Sequence, residues 1–154
     1  KGNQNKMSDL TSGKTPLVSA KNGNNGLKGL VSKNQKSIFK KHCLTLNNDG
    51  DGGAGIAYYQ PFNFLLDSHV TALHSKKMLS KYALLFISRC ITKQRNKFGH
   101  GYSLTNNRLK SFKIMLPINE EEKPDFEFME SYMKQIEFDK LNSYLTFTTK
   151  HDLA

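Results

Sequence analysis

The chain has 154 residues, 37% of them hydrophobic, which suits one domain with a real core and not two comfortable ones. It has no run of about 18 apolar residues and its N-terminus is polar, so neither a membrane span nor a signal peptide is predicted. The net charge of +10 is uneven: residues 1–113 hold 19 Lys/Arg against 4 Asp/Glu, and residues 114–154 hold 4 against 9.

Residues 1–13, opening on Lys1 as a fragment or processed piece would, lack periodicity and read as a flexible lead-in. "TPLVSA" (15–20) and "LKGLVS" (27–32) read as two strands joined through "KNGNNG", since Asn-Gly pairs tolerate the positive φ that tight connections demand. "KKHCLTL" (40–46), "IAYYQ" (56–60) and "SHVTAL" (68–73) follow as further strands. From Met78 the period becomes helical: Leu79, Tyr82, Ala83, Phe86, Ile87 and Cys90 share one face, and the helix should end near Gly99. Residues 99–111 read as a loop with one helical turn after Thr105, and "FKIMLPI" (112–118) as a strand stopped by Pro117. An acidic loop then leads into a helix with Pro124 at its start and Phe128, Met129, Tyr132, Met133 and Ile136 as its apolar stripe. The order predicts an α+β domain: a twisted, mainly antiparallel sheet or partial barrel of short strands, one long helix and a C-terminal helix.

Between the strands at 40–46 and 56–60, "NNDGDGGAG" (47–55) comes close to three site patterns. Asn47, Asp49, Asp51 and Gly52 match the first half of a calcium loop, but Tyr58 stands where a bidentate Glu is required and the flanks are strands. Gly50, Gly52 and Gly55 spell the dinucleotide pattern, but the sequel is β-rich and broken by Pro61, so no helix N-terminus follows. A phosphate loop of the P-loop kind fails at Ile56-Ala57. What remains is a glycine turn between two strands, whose tip at Asn48, Asp49 and Asp51 is the part that could approach a ligand.

No catalytic constellation stands out. Asp67 and His69 could share a strand face, but a catalytic pair also needs a nucleophile or substrate pocket, so the histidines read as structurally satisfied. Cys43 and Cys90 lie in apolar surroundings without zinc-type spacing and read as buried free thiols, which fits a reducing, cytoplasmic setting. No metal or cofactor is expected. The basic excess before residue 114 would draw polyanions, of which nucleic acid is the commonest, although a solvated lysine-rich surface has the same composition. The richest stretch is 93–111, where Lys93, Arg95, Lys97, Arg108 and Lys110 suit phosphates and His100, Tyr102, Asn106 and Asn107 suit base edges or stacking.

Four segments in order carry a resemblance: "GKTPLVSAKNGNNGLKGLV", "LTLNNDGDGGAGIAYYQPFNFLLDSHVTAL", "LSKYALLFISRCITKQRNKFGHGYSL" and "RLKSFKIMLPINEEEKPDFEFMESYMK". Together they resemble a target recognition domain of the type I restriction–modification specificity subunit, from about Gly13 to Ile136. The resemblance implies a non-catalytic, sequence-specific reader of double-stranded DNA. It also implies partners: a modification (methyltransferase) subunit, a restriction subunit, and a second recognition domain or a homodimer mate. On it, residues 14–138 form the recognition domain, and 139–154 a C-terminal tail or the start of a connecting segment that departs from the family's long spacer helix. "YYQPF" and "LPI" would be scaffold, with Tyr58, Phe62 and Leu116 in the core. Lys21, Asn24, Asn25 and Lys28 would approach DNA from the first hairpin, and Lys97, His100, Tyr102, Asn106, Arg108 and Lys110 from the loop after the long helix. Where relatives carry a basic pair near 98–103 this chain has "FGHGYS", which throws phosphate work onto Arg108 and Lys110. Two rivals remain: a protein-interaction module that docks on a methyltransferase without reading DNA, and a piece of a fused restriction–methylation enzyme.

Overall fold

A computed structural model of the chain describes residues 1–4, 8–50, 53–98 and 102–151. The α+β class holds, but the strands form two three-stranded sheets instead of one, and neither closes into a barrel. The first sheet runs β2 (Leu27–Val31), β1 (Ser12–Val18), β5 (Leu65–Leu66), with β1–β2 antiparallel and β1–β5 parallel. The second runs β4 (Ala57–Gln60), β3 (Cys43–Asn47), β6 (Val70–Leu73) and is wholly antiparallel.

β3 is buried along its whole length because it is covered on both faces. Side chains alternate along a strand, so Leu44 and Leu46 share one face and Cys43, Thr45 and Asn47 the other. Leu44 and Leu46 join Ala57, Leu84, Ile91 and Leu104 in the core beneath helix α1 (Lys81–Thr92). Cys43 joins Val18, Phe64, Leu66 and Val70 in a second cluster, and burial pushes its thiol up to about 11. Thr45, in the middle of β3, and Asn47, at its loop end, are both 0% exposed and place polar groups on that second face.

α1 starts at Lys81, three residues after the expected Met78, because the Ser80 hydroxyl caps it by accepting from the Ala83 N–H. Its most buried residues are Ala83, Leu84, Ser88 and Ile91, a stripe rotated from the expected one. The helix is sandwiched: that stripe meets the second sheet, while Tyr82 and Phe86 face α3 (Phe126–His151), with Phe86 edge-on to Phe128 and Tyr132.

Four further differences from the sequence reading have local causes. Residues 2–4 are docked: the Gly2 N–H donates to Val70 O, the Asn3 and Gln4 N–H groups to Leu66 O, and Gln4 is buried. The apolar run 112–118 keeps strand-like alternation, with Phe112, Ile114 and Leu116 half-buried, but it is no strand; only an isolated bridge joins Ile118 to Pro124. Tyr58, Phe62 and Leu116, expected in the core, are half-buried. Finally, α3 does not stop at Phe138 but continues to His151. Asp125 begins it by accepting the Phe128 N–H, and Met129, 0% exposed, anchors it. From Phe138 to Thr149 only Thr148 is even half-buried, so about 18 Å of helix projects from the body. Among the described residues no helix is long and apolar enough to cross a membrane.

Candidate nucleic-acid interface

The glycine loop between β3 and β4 is the seat of the site. Built Cβ atoms show why glycine is needed there. On Gly53 a Cβ would lie 2.6 Å from Ala20 O. On Gly55, at φ 76°, it would lie 2.8 Å from Phe98 Cδ2 and 3.0 Å from Arg95 Cα. One side of the loop therefore packs against the β1–β2 connection, and the other against the segment after α1. Asn48 belongs to this seat: it is buried, its carbonyl accepts the Leu104 N–H, and its side-chain oxygen accepts from Thr71. The Asn47 amide donates to Gly53 O at 3.1 Å and to Lys21 O at 3.4 Å. Asp49 pairs with His69 at 2.7 Å, the carboxylate accepting from Nδ1–H. Asp67 meets His69 differently from the shared strand face expected, accepting its backbone N–H at 2.9 Å. Asp51 lies outside the described residues.

The first hairpin connection carries Lys21, Asn24 and Asn25. Lys21 and Asn24 are exposed. Gly23, Asn24, Asn25 and Gly26 all have positive φ, at 100°, 50°, 52° and 72°. Asn25 is half-buried, and its amide is used by β4: it donates to Tyr59 O at 2.9 Å and Gln60 Oε1 at 3.3 Å. The Tyr58 hydroxyl accepts the Gly23 N–H at 2.7 Å. Lys28 is exposed on β2, two residues beyond this connection.

The segment after α1 forms a shallow cleft of about 390 Å³ between a single turn at Arg95–Lys97 and the short helix α2 (Asn106–Ser111). Phe98 and Phe112, edge to face at 5.4 Å, lie among its lining residues. The Arg108 guanidinium stacks over the Tyr102 ring at 3.9 Å and donates to Ser103 O at 2.8 Å, which fixes the planar cation beside an exposed aromatic. Lys97 Nζ donates to Gln94 Oε1 at 2.9 Å, and Gln94 Nε2 donates to Lys113 O at 3.1 Å. Lys97, Arg108 and Lys113 thus line one cleft that has no carboxylate among its described lining residues. The sequence reading missed Lys113 because it lay in a presumed strand. Lys110 is exposed on α2 outside the cleft, Asn106 opens α2, and His100 lies outside the described residues.

His42 is a satisfied histidine: its Nε2 donates to Leu79 O at 2.8 Å, leaving Nδ1 to accept from the Tyr59 hydroxyl at 3.0 Å.

Two basic loops far apart in sequence are therefore seated on one glycine loop. The profile of the type I restriction modification DNA specificity domain matches residues 2–144, nearly the whole chain. The chain belongs to this family. A relative within reach is the type II restriction enzyme specificity subunit S.BcgI of Heyndrickxia coagulans, 32% identical over 130 residues. That alignment covers 84% of this chain and 37% of the subunit, so the chain spans well under half of its relative's length. No solved structure matches the chain.

Proposed function

We propose that this specificity domain reads double-stranded DNA sequence and directs partner methyltransferase and endonuclease subunits to their site. The observation that carries the reading is the common seat: Gly53 and Gly55 hold the first hairpin connection and the post-α1 cleft against one loop. Lys21, Lys28, Lys97 and Lys110 act as phosphate contacts. Base reading falls to Asn24, Tyr102, His100 and Asn106, and phosphate contact also to Arg108, whose planar cation is held on the Tyr102 ring. The domain contributes no catalytic group and works in the cytoplasm, as part of a complex whose chemistry belongs to other subunits. The projecting half of α3, with Phe138, Leu141, Tyr144 and Leu145 exposed, faces a second spacer helix or the modification subunit.

That same exposed helix is what favours the rival, a module that docks on a methyltransferase without reading DNA. One experiment separates the two. The purified chain is titrated with duplex DNA at low salt, beside Arg108→Ala and Lys97→Ala. DNA reading predicts a mobility shift that both variants weaken. If the wild type shifts no duplex yet captures a modification subunit, the docking module stands instead.

A further inference from the structure

We propose that Gln60 is a positioning residue for sequence recognition, one that aims the Asn24 crest of the first hairpin without touching DNA itself. The inference rests on the DNA-reading role above and adds a residue to it.

Gln60 ends β4 and is 0% exposed. Its amide has two partners as donor: Thr45 Oγ1 at 2.9 Å, inside the sheet, and Asn25 O at 3.1 Å, in the hairpin. Its Oε1 accepts from Asn25 Nδ2 at 3.3 Å. The side chain therefore clasps Asn25 by both its carbonyl and its carboxamide, and Thr45 fixes the orientation of the clasp from behind. Asn25 Nδ2 also reaches Tyr59 O, so the carboxamide is spent on β4. Asn25 on this account is an anchor, not a base reader.

An anchor is needed because of the backbone. Asn24 and Asn25 are consecutive non-glycine residues in the left-handed region, flanked by Gly23 and Gly26, also at positive φ. L-residues enter that region reluctantly, and an exposed connection left to itself would relax out of it. Two β4 side chains oppose this: Tyr58, whose hydroxyl accepts the Gly23 N–H, and Gln60. Between the two clasped points stands Asn24, exposed to solvent. Preorganising a base-reading side chain removes ordering cost at binding and sharpens discrimination.

The test uses the full chain, a pool of random-sequence duplexes, and sequencing of the bound fraction. Three variants are compared with the wild type: Asn24→Ala, Gln60→Met, and Asn25→Gly. Asn25→Gly suits a φ of 52° and opens no buried cavity, so it remains informative should Gln60→Met fail to fold. Positioning predicts that Gln60→Met and Asn25→Gly lose base preference, by about fivefold or more, at the same base pairs that Asn24→Ala affects. Preference elsewhere in the motif and the salt dependence of binding should stay as in the wild type. An unchanged motif in Asn25→Gly, or a uniform loss across all base pairs that tracks lost thermal stability, would overturn the proposal. A wild type that enriches no sequence would overturn the DNA-reading role itself, which is a different failure.

Discussion

The Tyr82 hydroxyl donates to Glu137 Oε2 across 2.6 Å, joining α1 to α3 where α3 leaves the body of the domain. Lys81 Nζ reaches the other oxygen at 3.3 Å. The Tyr82 hydrogen bond first, and the Lys81 bond second, hold the Glu137 carboxyl below its ordinary range. A carboxylate whose folded pKa is depressed stabilises the fold above its unfolded value, and that contribution disappears as pH falls through the folded value. Thermal melts should therefore show wild type above Tyr82→Phe at neutral pH, with the gap closing as pH drops below the usual carboxylate range. A gap that stays constant into acid would mean that Glu137 is not the group involved.

Gly55→Ala should cost more than Gly23→Ala. It combines a left-handed φ of 76° with contacts of 2.8 Å to Phe98 and 3.0 Å to Arg95 Cα, for a loss of about 2–4 kcal/mol. Gly23→Ala, with nothing within 4 Å of its built Cβ, should carry only the backbone strain, about 1–3 kcal/mol. Urea unfolding of the two variants gives the order directly.

Along α3, Met129→Ala should cost about 2–5 kcal/mol, since a fully buried side chain leaves a cavity. Leu145→Ala, at 59% exposure, should change stability by no more than about 0.5 kcal/mol. Equal losses would mean that the projecting half of the helix folds back on the domain in solution.

Lys113 was absent from the sequence-derived set, yet it lines the cleft with Lys97 and Arg108. Lys113→Ala should weaken binding on all duplex sequences and lower the salt slope, as log affinity against log salt, by about one unit. An unchanged slope would remove it from the footprint.

Most of the framework was legible because it obeys short-range rules. The alternation in "CLTL" and "VTAL" and the helical period of "LSKYALLFI" place β3, β6 and the start of α1 to within a few residues, whereas α1 ends at Thr92, well before the expected Gly99, and a separate turn follows at Arg95–Lys97. The failures share another cause. Whether 112–118 becomes a strand depends on a free sheet edge beside it, which no window of sequence records. The segment "DKLNSYLTFTT" looks unlike helix because of its Thr and aromatic residues, but it contains no Gly or Pro to stop one. Ser143, Thr146, Thr148 and Thr149 instead turn their hydroxyls back to carbonyls three or four residues earlier, and the helix runs on. At the interface, Lys21 and Lys97 could be picked by composition, whereas the inward turn of the Asn25 amide depends on Gln60, 35 residues away.

The glycine loop has one more implication, for exchange of parts. Gly53 meets Ala20 through a carbonyl oxygen, and Gly55 meets Arg95 at its Cα, so much of the join is main chain against main chain. A join of that kind is indifferent to what the neighbouring tips carry. Crests such as Lys21–Asn24 can change their side chains while the socket beneath stays untouched, a new surface without a new architecture.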